Sequence, residues 1–129
     1  MLATLGGQPQ VVTFALDGLR ARGETISEVY VLHLAPDNER IRHALQVLSR
    51  EFQDDCYQGA PCRLRRVPIL RGAEPVREIR SERDADAVWQ AVRGTIVDLK
   101  EQGRALHICV SGGGAHDGAA DHFRGDALV

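Results

Sequence analysis

Two short runs hold the residue types that could grip a phosphate: Gly6-Gly7-Gln8-Pro9-Gln10 and Ser111-Gly112-Gly113-Gly114. Adjacent glycines let backbone N–H groups approach an anion closely, and a helix N-terminus behind them favours negative charge. Gln8 and Gln10 add amide donors and acceptors suited to a base edge or a ribose hydroxyl. One such run alone would be read as a simple chain turn. Two of them, each directly after an apolar strand-like segment, point to a phosphate or nucleotide site. Arg71 and Arg80 lie beyond a strand end on the expected ligand side and are assigned to the anion. Arg63, Arg65 and Arg66 either line an anionic cleft or form a solvated face, because alternation along a strand sends at least one of them outward. Neither run matches the dinucleotide fingerprint GxGxxG or the P-loop GxxxxGK[ST], and Ser111 is not in a GxSxG elbow. Ordinary dinucleotide, triphosphate and triad-hydrolase chemistries are therefore disfavoured.

The elements that must position these residues alternate between short apolar runs and helical periodicities, the pattern of a parallel α/β layer fold. Residues 1–5 read as a strand buried on both faces. Pro9 opens a helix with Val12, Leu16 and Leu19 inward, and Gly23 ends it. The run Val29–Leu34 is a second strand, and Asp37 is expected to cap a helix whose inner face is Ile41, Leu45, Leu48 and Phe52. Leu64–Leu70 is a third strand, in which Pro68 signals an edge position, a bulge or a strand end. A long connection, 71–80, leads to Ser81 and Asp84, spaced as a capping pair. The helix that follows carries Ala85, Val88, Trp89, Val92, Ile96 and Leu99, with Trp89 expected as a core anchor, and Gly103 stops it. Leu106–Val110 is a fourth strand. The expected architecture is a Rossmann-like three-layer α/β/α domain over 1–114 with a mostly parallel sheet. Residues 115–129 form a polar tail or a weak helix with Ala119, Phe123 and Ala127 on one face.

A length of 129 residues fits one domain, and 43% apolar with 26% charged residues is a globular composition. The net charge of −2 argues against bulk binding of long nucleic acid, while leaving room for a small anion in a local pocket. No apolar run reaches the ~18–20 residues of a membrane span, and no secretory signal is evident, so a cytoplasmic location with no membrane contact is expected. Cys56, Cys62 and Cys109 are read as reduced thiols, although the first two could close a small loop. His116, Asp117, Asp121 and His122 could bind a metal, but a polar tail explains them more simply; no metal and no cofactor are expected.

These blocks together resemble the CRISPR-associated Rossmann fold (CARF) family, in particular its small ring nucleases. The similarity runs through Leu2–Thr13, Val31–Asp37, Arg63–Gly72, Glu78–Ser81 and Leu106–Gly113, and the Gly-Gln-Pro-Gln-Val turn paired with a distant Ser-Gly-Gly turn carries most of it. The resemblance implies a homodimer that binds a cyclic oligoadenylate, usually the four-adenylate ring, in a symmetric pocket. It further implies cleavage without metal, by a ribose 2′-hydroxyl attacking its neighbouring phosphorus, which switches off an antiviral signal. Carried over by position, Gly7, Gln8, Pro9 and Gln10 match the first ligand loop, and Ser111, Gly112 and Gly113 match the second, with Gly6 and Gly114 beside them also assigned to the ligand. Where the family has Arg or Lys after the two glycines, this chain has Gly114-Ala115-His116. Gln8 and His116 are therefore assigned catalytic roles, with Arg71, Arg80 or the partner subunit neutralising phosphate. The same departure leaves open a catalytically silent sensor or sponge, and the polar tail is what a truncated or frameshifted gene would give.

Overall fold

A computed structural model describes residues 1–111 and 120–124. Strand β1 (Leu2–Leu5) is followed by helix α1 (Pro9–Ala21), strand β2 (Glu28–His33) and helix α2 (Glu39–Glu51). A 3-10 turn (Gln53–Asp55) leads into a small hairpin, β3 (Cys56–Tyr57) and β4 (Ala60–Pro61). Strand β5 (Arg63–Pro68), the hairpin β6 (Leu70–Arg71) with β7 (Glu74–Pro75), helix α3 (Glu82–Glu101), and strands β8 (His107–Ser111) and β9 (Ala120–Arg124) complete the order. The main sheet runs β5-β2-β1-β8-β9, with the first four strands parallel and β9 antiparallel to β8. The expected α/β layer fold is thus the observed one.

The sheet separates two cores. On one face α1 and α2 bury Val12, Leu16, Leu19, Ile41, Leu45 and Leu48 against Ala3, Leu5, Val29 and Val31. On the other face α3 brings Ala87 and Val92 onto Leu2, Leu32 and Ile108. Alternate residues of β1 and β2 therefore serve opposite cores, which explains why both strands are apolar throughout. Pro68 falls at the end of β5, the strand on the sheet's outer edge, where its missing N–H costs no ladder bond.

Three expectations need correction. Asn38, not Asp37, caps α2, its side chain accepting from the Arg40 N–H at 2.9 Å. Trp89 is not a core anchor: it is 59% exposed, because α3 turns the stripe of Asp84, Ala87, Val92 and Leu99 inward and leaves Val88 and Ile96 only half-buried. Ala120–Arg124 pair with β8 as a strand, so Phe123 stands opposite Ile108 in a ladder rather than on a helical face.

At the amino edge the α-ammonium of Met1 donates to the Glu28 carbonyl at 2.8 Å, and burial lowers its pKa to about 6. An unfolded chain releases that proton near its ordinary value, about 8, so between these values the unfolded state binds more protons. Protein prepared with Met1 as its first residue should lose about 2–3 kcal/mol of stability as pH falls from about 8 to below 6, read by urea titration at a series of pH values. In the same assay Leu16→Ala should cost about 2–5 kcal/mol, whereas Trp89→Ala should cost less than about 1 kcal/mol.

Candidate functional site at the carboxyl edge of the sheet

The chain runs outward from β1 to β2 and β5, then returns to place β8 on the other side of β1. Strand order therefore reverses between β1 and β8, and open α/β sheets bind ligands at the carboxyl ends beside such a reversal. The two glycine runs leave these two adjacent strands: Gly6-Gly7 follows β1, and Ser111 is the last residue of β8. Gly112, Gly113, Gly114 and His116 lie outside the described residues.

The first turn is built for close approach. Gly7 has φ +103°, a conformation disfavoured for residues with a side chain. Gln8 is the N-cap of α1 and Pro9 occupies the first turn, as the sequence suggested. No side chain caps this helix; the Gln10 side-chain amide donates to the Gln8 side-chain oxygen instead, at 3.2 Å. Both glutamines are exposed, so their remaining donors and acceptors face solvent at the helix N-terminus.

Sequence reasoning missed Arg40. The residue is exposed on the first turn of α2, and its guanidinium lies over Gly7: a Cβ built there would stand 3.4 Å from Nε and 3.5 Å from Nη2. No motif marks Arg40, and it is 33 positions from Gly7. The signal that could have found it is topological, since parallel β1 and β2 bring the α1 and α2 N-termini to the same edge.

Arg71 and Arg80 are also near this edge, on the α3 side, where they line a cavity of about 620 Å³ with Glu74, Val76, Arg77, Glu78 and Asp84. The backbone ties the cavity to the carboxyl edge, because Ile69 N–H donates to His33 O and Ala35 N–H to Val76 O, each at 2.9 Å or less. These arginines are already engaged. Arg71 Nη1 meets Asp84 Oδ1 at 2.8 Å, Arg77 meets Asp37 at 3.2 Å, and Arg80 Nε pairs with Glu78. Asp84 also accepts from the Arg80 backbone N–H at 3.1 Å, while its own N–H donates to Ser81 Oγ at 3.2 Å. The Arg80 N–H first, and then the Arg71 guanidinium and the Ser81 hydroxyl, hold the Asp84 carboxyl below the usual range despite the opposing effect of burial. Arg63 and Arg65 pair with Asp55 and Glu28, away from the glycine turn, and Arg66 is exposed on the edge strand. Among the described residues no three His, Cys, Asp or Glu side chains gather as a metal site.

A sheet of this order, with a glycine turn beside a guanidinium at its reversal point, defines a Rossmann-like α/β protein. The family model for CRISPR-associated protein NE0113 (Cas_NE0113) matches residues 8–119, and the chain belongs to that family. No curated protein and no solved structure matches the chain. Among the described residues no helix is long and apolar enough to cross a membrane.

Asp84 joins the β6–β7 hairpin to the start of α3, so its ionisation should hold the cavity wall in place. Because its pKa is depressed in the folded state, the stability it contributes is present above the ordinary carboxylate value, about 4, and is lost as pH falls through the lower folded value. Asp84→Asn should accelerate amide hydrogen exchange across 71–80 at neutral pH. Wild-type protein should show the same acceleration only in acid.

Proposed function

We propose that the protein binds a cyclic oligoadenylate, the four-adenylate ring, at the carboxyl edge of its sheet and opens it without metal. The observation that carries this reading is the reversal of strand order between β1 and β8, each followed in the sequence by glycines, with Gly7 at positive φ in the turn after β1. Membership of a CRISPR-associated family supports it, as does the resemblance of 1–113 to the CARF ring nucleases. The ring is a repeating nucleotide, so a homodimer would present the same patch to each half of it.

The chemistry is an internal transfer. A ribose 2′-oxygen loses its proton and bonds to the adjacent phosphorus, the bond from phosphorus to the 5′-oxygen breaks, and that oxygen takes up a proton. The product is a linear oligoadenylate with a 2′,3′-cyclic phosphate and a 5′-hydroxyl, formed with no water consumed. Such a step asks for in-line placement and stabilisation of phosphate charge more than for a strong base. Gln8 would orient the ribose, Gly6, Gly7, Pro9 and Gln10 would form the floor, and Ser111 with Gly112, Gly113 and Gly114 the opposite wall. His116 would protonate or neutralise, and Arg71 and Arg80 would act once released from Asp84 and Glu78.

A second reading is a sensor or sponge that binds the ring intact, favoured by the sequence Gly114-Ala115-His116 where CARF ring nucleases carry Arg or Lys. Radiolabelled cyclic tetra-adenylate in EDTA separates the two. Conversion to linear product with a cyclic phosphate end is expected, slowed in Gln8→Ala and His116→Ala. Retention without conversion would select the sensor. Neither retention nor conversion, with the six-adenylate ring also tested, would retire both.

A further inference from the structure

We infer that Arg40 is the residue that holds a phosphate of the bound nucleotide against the Gly6-Gly7 turn. This rests on the binding site proposed above and adds its principal cation. Three observations converge on it. The guanidinium reaches from α2 across to the loop after β1 and lies within 3.5 Å of the space a Gly7 side chain would fill, so the turn and the cation form one surface. Arg40 makes no ion pair among the described residues, whereas the carboxylates closest in sequence are taken: Asp37 by Arg77 and Glu39 by Arg42. The Arg40 backbone N–H is held by the Asn38 side chain, which fixes the residue in the first turn of α2 beside the helix N-terminus.

The alternative arginines are less available. An anion reaching Arg71 must displace the Asp84 carboxylate, whereas Arg40 has no carboxylate partner among the described residues. A guanidinium presents paired N–H donors to a phosphate and is always charged, so the contact is charge-assisted at any working pH. The guanidinium and the turn's backbone lie side by side at Gly7, so a phosphate resting on the turn meets both.

The test compares wild-type, Arg40→Ala and Arg40→Lys for equilibrium binding of cyclic tetra-adenylate across a series of salt concentrations, with melting temperature as a control on folding. Arg40→Ala should bind roughly tenfold more weakly or worse, and the slope of log K against log salt should shrink by about 0.7, the value for one phosphate contact to a single strand. Arg40→Lys should recover part of both, with little change in melting temperature. Wild-type binding with an unchanged dissociation constant and salt slope in Arg40→Ala would overturn the assignment while leaving the site standing. No binding by the wild-type protein would overturn the site and the assignment together.

Discussion

The fold depends on β1 lying in the middle of the sheet with both edges paired and both faces covered. All four of its residues are buried, and its backbone is bonded to β2 on one side and β8 on the other. A strand so enclosed has one exit, past its carboxyl end, and the chain must turn there within three residues to start α1. That turn is what calls for Gly7 at positive φ, and it brings Gly7 against the Arg40 side chain of α2. The meeting of the Gly7 turn and Arg40 at this edge is therefore a consequence of how the central strand is enclosed.

Parallel pairing carries the rest. In a parallel sheet each strand's carboxyl end lies at the same edge, so successive helices begin together and their N-terminal partial charges add locally. Here α1 and α2 start beside each other, while the β6–β7 hairpin and the start of α3 close the other face. Arg77–Asp37 links that face to the loop before α2 across the edge. The cavity wall belongs to the α3 layer and the glycine turn to the α1 and α2 layer, so the carboxyl edge is lined from both faces of the sheet.

The strands and helices were legible because burial leaves a periodic trace. Runs such as VYVLHL have apolar residues on both faces, and the inner stripe of α2 repeats with helical spacing. On α3 the expected Val92 and Leu99 are buried, but toward the helix start the inner face continues through Ala87 and Asp84, which leaves Trp89 outside it. The capping residue of α2 was misplaced by one position because Asp37 and Asn38 are both good caps, and only the backbone decides between them. The turn of Gly6, Gly7, Gln8 and Pro9 between β1 and α1 was legible from local chemistry at a strand end. Arg40 was not, since its relation to Gly7 exists only once β1 and β2 are side by side.

Charge pairing then ranks the arginines in a way composition cannot. A surface ion pair contributes little by itself, yet it changes what an incoming anion must do. Arg71 is held by a carboxylate that also accepts a backbone N–H at the start of α3, so freeing it loosens the connection between hairpin and helix. Arg80 is held by Glu78 on its own segment and can be freed without disturbing another element. Arg40 has no ion pair among the described residues. The three arginines thus form a graded set at this edge: Arg40 without an ion pair, Arg80 paired within its own segment, and Arg71 paired across to the start of α3. The order of that grading follows from which carboxylates the 37–42 and 78–84 segments place within reach.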